Sequence, residues 1–281
     1  MPTCYVVGAG DFTPRGFAPG PGDLVVAADG GYRALYSLGY TPDLLLGDFD
    51  SLGDLPLPAD LPVLRFPVRK DDTDAGLALR HGLDLGFRDF ALYGCAGGRV
   101  DHLLANFQSM ARVSRLGATV RLAAPDYDAW SLTGPAPDAP APAPGGPAPN
   151  APAPGLAPSG PAPSGPAPAT PAAPNAPTPA TPAAPDAPAP APGGPAPDAL
   201  APAAVLALPP RPGGTLVSVF CQGDRAEGVT LAGLAYPLSD AVLTGDFPLG
   251  VSNRRLDGQR ATVAVRRGTL LILQSAGPDI A

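Results

Sequence analysis

Cysteine is scarce in this chain: three residues in 281, at Cys4, Cys95 and Cys221, with no CxxC pair. An odd, widely spaced set supports neither a disulfide framework nor a zinc site. Basic residues are not in excess either. The formal net charge is −7, whereas nucleic-acid binding calls for a basic surface, so no nucleic-acid partner is expected. No apolar run approaches the length of a membrane span. The opening MPTCYVVGAGDF lacks the basic start and the longer apolar run of a signal peptide. A cytoplasmic chain without membrane contact is the expectation. A Walker A sequence is missing, no GxGxxG follows the first apolar run, and no Ser, Cys or His dyad offers a nucleophile.

Proline, by contrast, is abundant and unevenly placed. Of 42 prolines, 26 fall within residues 135–202, a stretch with no aromatic residue, no Lys or Arg, and only Asp138, Asp186 and Asp198 as charges. Such a composition buries too little apolar surface to offset the entropy of ordering, and predicts a disordered insert. DAPAPAPGGPAPNA, starting at Asp138, recurs almost unchanged from Asp186, and alternating Ala and Pro favours polyproline II. No basic residue flanks any PxxP, which favours an inert expanded loop over a ligand for an SH3 domain. Without the insert, 213 residues of globular composition remain, enough for a good core.

Residues 1–128 alternate short apolar runs with helical patterns, the signature of an α/β domain with a mostly parallel sheet. Strands are expected at 5–8, 24–28, 44–47, 63–66, 90–93 and 119–123. Helices are expected at 32–38, 74–85 and 101–116, each stopped by a glycine (Gly39, Gly86, Gly117) at the C′ position. Residues 203–281 are rich in Val, Leu and Thr, with strands at 215–221, 228–235, 261–265 and 269–274. They read as a small all-β sandwich whose first strand is residues 129–134, so the insert at 135–202 interrupts that domain. The strands flanking the insert, 129–133 and one starting near Val205, are expected to pair as they would across a short turn.

Four polar clusters fall at or just after expected strand ends, where ligands bind in an open α/β sheet. Asp29-Gly30-Gly31 opens a helix; a strand-to-helix turn needs glycine anyway, so alone it reads as structural. Asp48 and Asp50 are two apart in an extended segment and aim their carboxylates at one point, a donor pair suited to Mg²⁺. Lys70-Asp71-Asp72-Thr73-Asp74 opens the second helix. Capping by Thr73 or Asp72 explains one or two carboxylates, not three beside a lysine. That points to metal-proximal carboxylates with Lys70 as a phosphate contact. Gly97-Gly98-Arg99-Val100-Asp101-His102 supplies flexible backbone, a forked cation and a helix start, which together suit a phosphate. Asp101 serves equally as a helix cap, and His102 has a supporting role. Together these clusters suit Mg–nucleotide phosphoryl transfer.

At this point the chain resembles the thiamine pyrophosphokinase family. The resemblance rests on AADGG (27–31), PDLLLGDFDS (42–51), KDDTD (70–74), GGRVDH (97–102), GLAYPLSDAVL (233–243) and GVSN (250–253). It implies an α/β domain holding Mg–ATP, a β-sandwich that helps bind thiamine, and homodimers with active sites at the interface. On the matching positions it implies Asp48, Asp50 and Asp74 beside the metal, with Asp71, Asp72 and Thr73 lining the same pocket. Lys70 and Arg99 would meet phosphates, and Asp29 and Asp101 would complete the site. Tyr236 would lie against the thiamine pyrimidine, and Ser252 and Asn253 would contact thiamine. The rival expectations are a pyrophosphokinase acting on a hydroxymethyl pterin and a non-catalytic Mg–nucleotide or thiamine sensor.

Overall fold

The computed structural model describes residues 1–47, 55–66, 72–135 and 203–278, all within one compact unit. Asp48, Asp50, Lys70, Asp71 and the insert beyond Pro135 lie outside the described residues.

The first half runs β1 (Thr3–Val7), β2 (Leu24–Ala28), α1 (Gly31–Ser37), β3 (Leu44–Gly47), β4 (Val63–Arg65), α2 (Asp74–Asp84), β5 (Asp89–Tyr93), α3 (Val100–Arg115) and β6 (Thr119–Ala123). These strands are parallel, in the order β4-β3-β2-β1-β5-β6. LVVAA in β2 and LLLG in β3 are apolar on both faces because helices cover both faces. Alternate residues part cleanly: Val6, Val26, Leu46 and Leu92 pack under α2 and α3, whereas Val7, Val25, Leu45 and Tyr93 pack under α1. Gly39, Gly86 and Gly117 follow the three helices at positive φ, as the C′ reading requires.

The sheet does not end where the parallel strands end. β7 (Tyr127–Thr133) pairs antiparallel with β6. It is followed laterally by β14 (Thr269–Pro278), β9 (Thr215–Cys221) and β12 (Gly250–Arg254), giving ten strands in one sheet. A second sheet, β11-β10-β13-β8, is formed by β8 (Ala204–Ala207), β10 (Arg225–Ala232), β11 (Leu238–Thr244) and β13 (Thr262–Val265). It packs on the antiparallel part of the first through Trp130, Val217, Val219, Leu231, Val263 and Ile272. The expected sandwich is therefore present, and one of its layers is the continuation of the α/β sheet. The opposite face of that layer meets α3: Ser114 Oγ donates to the Ser131 carbonyl at 3.3 Å and Gln222 Nε2 to the Phe107 carbonyl at 3.0 Å.

One expectation is corrected. The strands flanking the insert do not pair with each other: β7 pairs with β6 and β14, and β8 pairs with β13 in the other sheet. The connection crosses between packed sheets, which lie about 10 Å apart, so a two-residue turn cannot replace it. A linker of about eight residues spans on the order of 25 Å extended. Replacing residues 136–202 with such a linker is expected to leave the fold and its stability near the parent values, since loop-closure cost changes by only about 0.6 kcal/mol per doubling of length. Loss of the fold in the shortened chain, followed by circular dichroism, would give the insert a structural role.

Candidate active site

The chain leaves β1 for β2 on one side and returns through β5 on the other, so the loops after β1 and β5 diverge at the carboxyl edge of the sheet. Ligands bind at such a switch point, and a cleft of about 310 Å³ lies there, lined by Gly8, Ala9, Gly10, Asp29, Thr73, Asp74, residues 94–99, His102 and Asn106. Its floor is backbone against backbone. The Gly8 amide donates to the Tyr93 carbonyl at 2.8 Å, Gly10 to Gly94 at 2.7 Å and Asp11 to Ala96 at 2.9 Å. A Cβ on Gly10 would sit 2.2 Å from the Ala96 carbonyl oxygen, and one on Gly94 2.4 Å from that of Gly8. Only glycine permits this approach.

Three of the four clusters reach the cleft within the described residues. Asp29 ends β2 at φ 48°, a left-handed conformation uncommon for a residue with a side chain. Its amide donates to the Leu46 carbonyl at 2.7 Å. Gly31 plays the structural part: a Cβ there would fall 1.8 Å from the Val7 carbonyl oxygen, so the start of α1 presses directly on β1. Gly30 caps α1 and is not among the cleft-lining residues. Thr73 is the N-cap of α2, its hydroxyl accepting from the Gly76 amide at 3.0 Å, and Asp74 is the first helical residue. Both face the cleft together with the positive end of the α2 dipole.

Asp72 is placed differently. Its carboxylate takes the Thr73 amide at 3.0 Å and pairs with Arg80, lining a separate groove between α2 and α3. In the last cluster Arg99, not Asp101, occupies the N-cap position of α3. Its exposed guanidinium is held by Asp101, Nε to Oδ1 at 3.1 Å. That hydrogen bond raises the Arg99 pKa and holds the Asp101 carboxyl below its usual range. Arg99 and His102 line the cleft; Asp101 does not. Cys95 also lines it, but burial pushes its thiol up to about 12, so it is no thiolate nucleophile at neutral pH.

Sequence reasoning missed two contributors. One is Gly8-Ala9-Gly10, whose signal was a glycine pair directly after an apolar strand. The other is Asn106, one helical turn beyond His102 and 6% exposed. Its Nδ2 donates to the Cys95 carbonyl at 2.8 Å and its Oδ1 accepts from the Thr73 hydroxyl at 3.2 Å. Asn106 thus ties the start of α2 to the glycine loop after β5. Asn106→Leu is expected to cost about 1–3 kcal/mol of stability by leaving the Cys95 carbonyl buried without its donor. It should also depress kcat more than either KM; an unchanged urea midpoint and kcat would reduce Asn106 to a bystander.

The aromatic and polar residues of the sandwich lie away from this cleft. Tyr236 is 70% exposed. Asn253, 3% exposed, clamps the Tyr236 backbone: Oδ1 accepts its amide at 2.9 Å and Nδ2 donates to its carbonyl at 2.6 Å. Ser252 precedes it at φ 58°, its amide donating to Ser218 Oγ at 3.0 Å. The side chain presented outward is therefore Tyr236, with Asn253 fixing the backbone beneath it.

Two family models match this chain: thiamin pyrophosphokinase, catalytic domain, over residues 21–122, and thiamin pyrophosphokinase, vitamin B1 binding domain, over residues 205–270. Together they take in more than half of the chain. The chain belongs to the thiamine pyrophosphokinase family. Thiamine pyrophosphokinase from Bacillus subtilis (strain 168) is 31% identical over 103 residues, 35% of this chain and 48% of that protein, so the aligned stretch spans about half of that relative. Among solved structures, the B. subtilis thiamine pyrophosphokinase has a TM-score of 0.64 at 19% identity, covering 99% of this chain and 100% of that one. Thiamin pyrophosphokinase from Candida albicans has a TM-score of 0.57 at 11% identity, covering 98% and 88%. At these identities the two structures establish a shared fold. The catalytic-domain match contains β2 to β5, nearly all of β6 and most of the cleft, and the vitamin B1 binding match contains Tyr236, Ser252 and Asn253.

Among the described residues no three His, Cys, Asp or Glu side chains converge on a metal position. Asp29 and Asp74 nevertheless bring two carboxylates to one cleft, and oxygen donors of this kind fit a hard divalent cation.

Proposed function

We propose that this chain is a thiamine pyrophosphokinase: it binds ATP in the cleft between the β1 and β5 loops and transfers its terminal pyrophosphoryl group to the primary alcohol of thiamine, releasing AMP. The observation that carries this reading is the assembly of Gly8–Gly10, Asp29, Thr73, Asp74 and Arg99 at one sheet edge, in a chain of this family. The thiamine hydroxyl oxygen attacks the β-phosphorus, the bond from that phosphorus to the oxygen shared with the α-phosphate breaks, and AMP departs with that oxygen. The hydroxyl proton passes to a carboxylate at the same edge.

Asp48, Asp50 and Asp74 would hold a divalent cation, Mg²⁺ in this proposal. When bound it neutralises polyphosphate charge and favours attack at phosphorus. The chain's own contribution is positioning. The Gly97-Gly98 backbone and the α2 N-terminus cradle the phosphates, and Lys70 (the single lysine of the chain) and Arg99 neutralise them. Asp71 and Asp72 shape the entry to α2, and Asp101 orients Arg99. His102 borders the nucleotide, and Gly30 starts α1 behind Asp29.

Thiamine would be met by Tyr236 from a second copy, with Ser252 and Asn253 beneath. Homodimerisation is supported by exposed apolar side chains at both ends of such a contact. Val100 and Leu104 project from α3 beside the cleft, and Tyr236, Phe247, Leu249 and Val251 from the sandwich; grouped apolar surface of this kind marks interfaces. A cytoplasmic setting without nucleic-acid or membrane partners belongs to the same proposal, on the sequence grounds given above.

The test is incubation with Mg–ATP and either thiamine or a hydroxymethyl pterin, followed by AMP detection. AMP stoichiometric with thiamine diphosphate is the expected result; AMP with the pterin alone, or with neither, would overturn the reading. Tyr236→Ala is expected to raise the thiamine KM roughly two- to tenfold through lost stacking, with the ATP KM near its parent value. An unchanged thiamine KM would remove Tyr236 from the acceptor site.

A further inference from the structure

We propose that a cavity between the segments 207–211 and 255–260 is a second anion site, separate from the nucleotide cleft and suited to a phosphate-class oxyanion such as pyrophosphate. The cavity has a volume of about 550 Å³ and is lined by residues 207–211, Arg255 and residues 258–260. Among the described residues three arginines line it, Arg211, Arg255 and Arg260, with no acidic residue, and it shares none of them with the cleft.

The charges around it do not balance. Arg255 is 5% exposed, and among the described residues its terminal nitrogens reach only backbone carbonyls, Pro209 at 3.2 Å and Gln259 at 3.4 Å. Its Nε and that of Arg211 are buried with no partner among the described residues. Arg211 Nη2 donates to Asp128 at 3.0 Å, but that one carboxylate also receives Arg15 and Arg121. Asp257, the acidic residue of the 255–260 loop, accepts from the Gly213 amide at 2.9 Å and does not line the cavity. Burial, and next the charge of Arg211, both push the Arg255 pKa down. A buried cation with a like charge beside it and no carboxylate is costly. A multiply charged oxyanion reverses that cost, because guanidinium forks match phosphoryl oxygens in geometry as well as charge.

The experiment is isothermal titration of the intact protein with pyrophosphate, and separately with inorganic phosphate, in the absence of nucleotide. Arg260 is exposed, so Arg260→Gln leaves the core untouched; it is expected to weaken this site roughly tenfold, the worth of one charge-assisted contact. AMP production from Mg–ATP and thiamine should stay at the parent rate. Arg255→Lys, which keeps the charge but loses the fork, should also weaken binding, with thermal melting confirming the fold. Arg99→Gln, a change in the cleft, should leave this binding in place. Pyrophosphate, able to span two arginines, should bind more tightly than phosphate. Binding that Arg99→Gln abolishes and Arg260→Gln spares would reduce the two sites to one and overturn the proposal. So would saturable binding of neither anion, or an Arg260→Gln variant whose catalytic rate falls in step with its affinity.

Discussion

Asp74→Asn is expected to lower the rate of AMP production by a factor of about 10²–10³, the usual consequence of removing one charge-stabilising group from a phosphoryl-transfer site. The fold should survive. Asp74 is the first residue of α2, behind a Thr73 cap that the substitution leaves intact. Asparagine keeps the size, and losing a favourable charge at the helix N-terminus costs about 0.3–1 kcal/mol. The large kinetic loss follows from position, because Asp74 faces the cleft beside Asp29. Asp50→Asn should be equally damaging. If both carboxylates hold one cation, the double variant should fall little further than the worse single one, because groups acting as a unit are not additive. Raising Mg²⁺ should recover part of the single-variant loss. A variant retaining most of its activity, with an unchanged Mg²⁺ requirement, would take that carboxylate out of the mechanism.

The parts of this molecule that a sequence can announce are those governed by local rules. LVVAA and LLLG are too apolar for anything but strands covered on both faces, and three glycines at positive φ end three helices where the pattern ends. Thr73 three residues before Gly76 is a local cap and was legible as one. β11 and β12 were not legible. LSDAVLT and GVSNR sit at sheet edges, mostly outside the core, and lack the alternation that burial imposes. Which sheet each strand joins is a long-range matter too: nothing local to 129–133 or to Val205 says that β7 and β8 part company.

The same distinction runs through the site. Carboxylates at strand ends were visible, but their directions were not. Asp72 lies two residues from Asp74, yet Arg80 holds it on the other side of the helix start. Asn253 carries the polar chemistry expected of a ligand contact, yet both ends of its amide are engaged by the Tyr236 backbone. Asn106, a polar residue on a helical stripe, acquires its role only when Thr73 and Cys95, distant in sequence, meet it.

Asp128→Asn is expected to be the most destabilising change in the chain outside the apolar core. Asp128, on β7, is 1% exposed and receives Arg15 Nη1 at 2.6 Å, Arg121 Nη2 at 2.8 Å and Arg211 Nη2 at 3.0 Å. These arginines come from the loop after β1, from β6 and from the segment before β9, so one carboxylate ties the parallel half of the sheet to the sandwich. Asparagine preserves volume and one acceptor but leaves three guanidinium groups facing each other with no opposing charge. Removing one partner from a buried ionic cluster costs about 3–5 kcal/mol. The lower end is expected here, because the arginine side chains keep 27%, 30% and 21% of their exposure and water screens part of the repulsion. For a chain of this size that corresponds to a fall in Tm of roughly 6–12 °C, and urea denaturation should show it as a lower midpoint at unchanged slope. Arg121→Gln, which removes one of three cations and leaves the carboxylate served by two, should cost far less. If Asp128→Asn lowers the unfolding free energy by under about 1 kcal/mol, the arginines are held apart by solvent and the junction is maintained by the apolar faces alone.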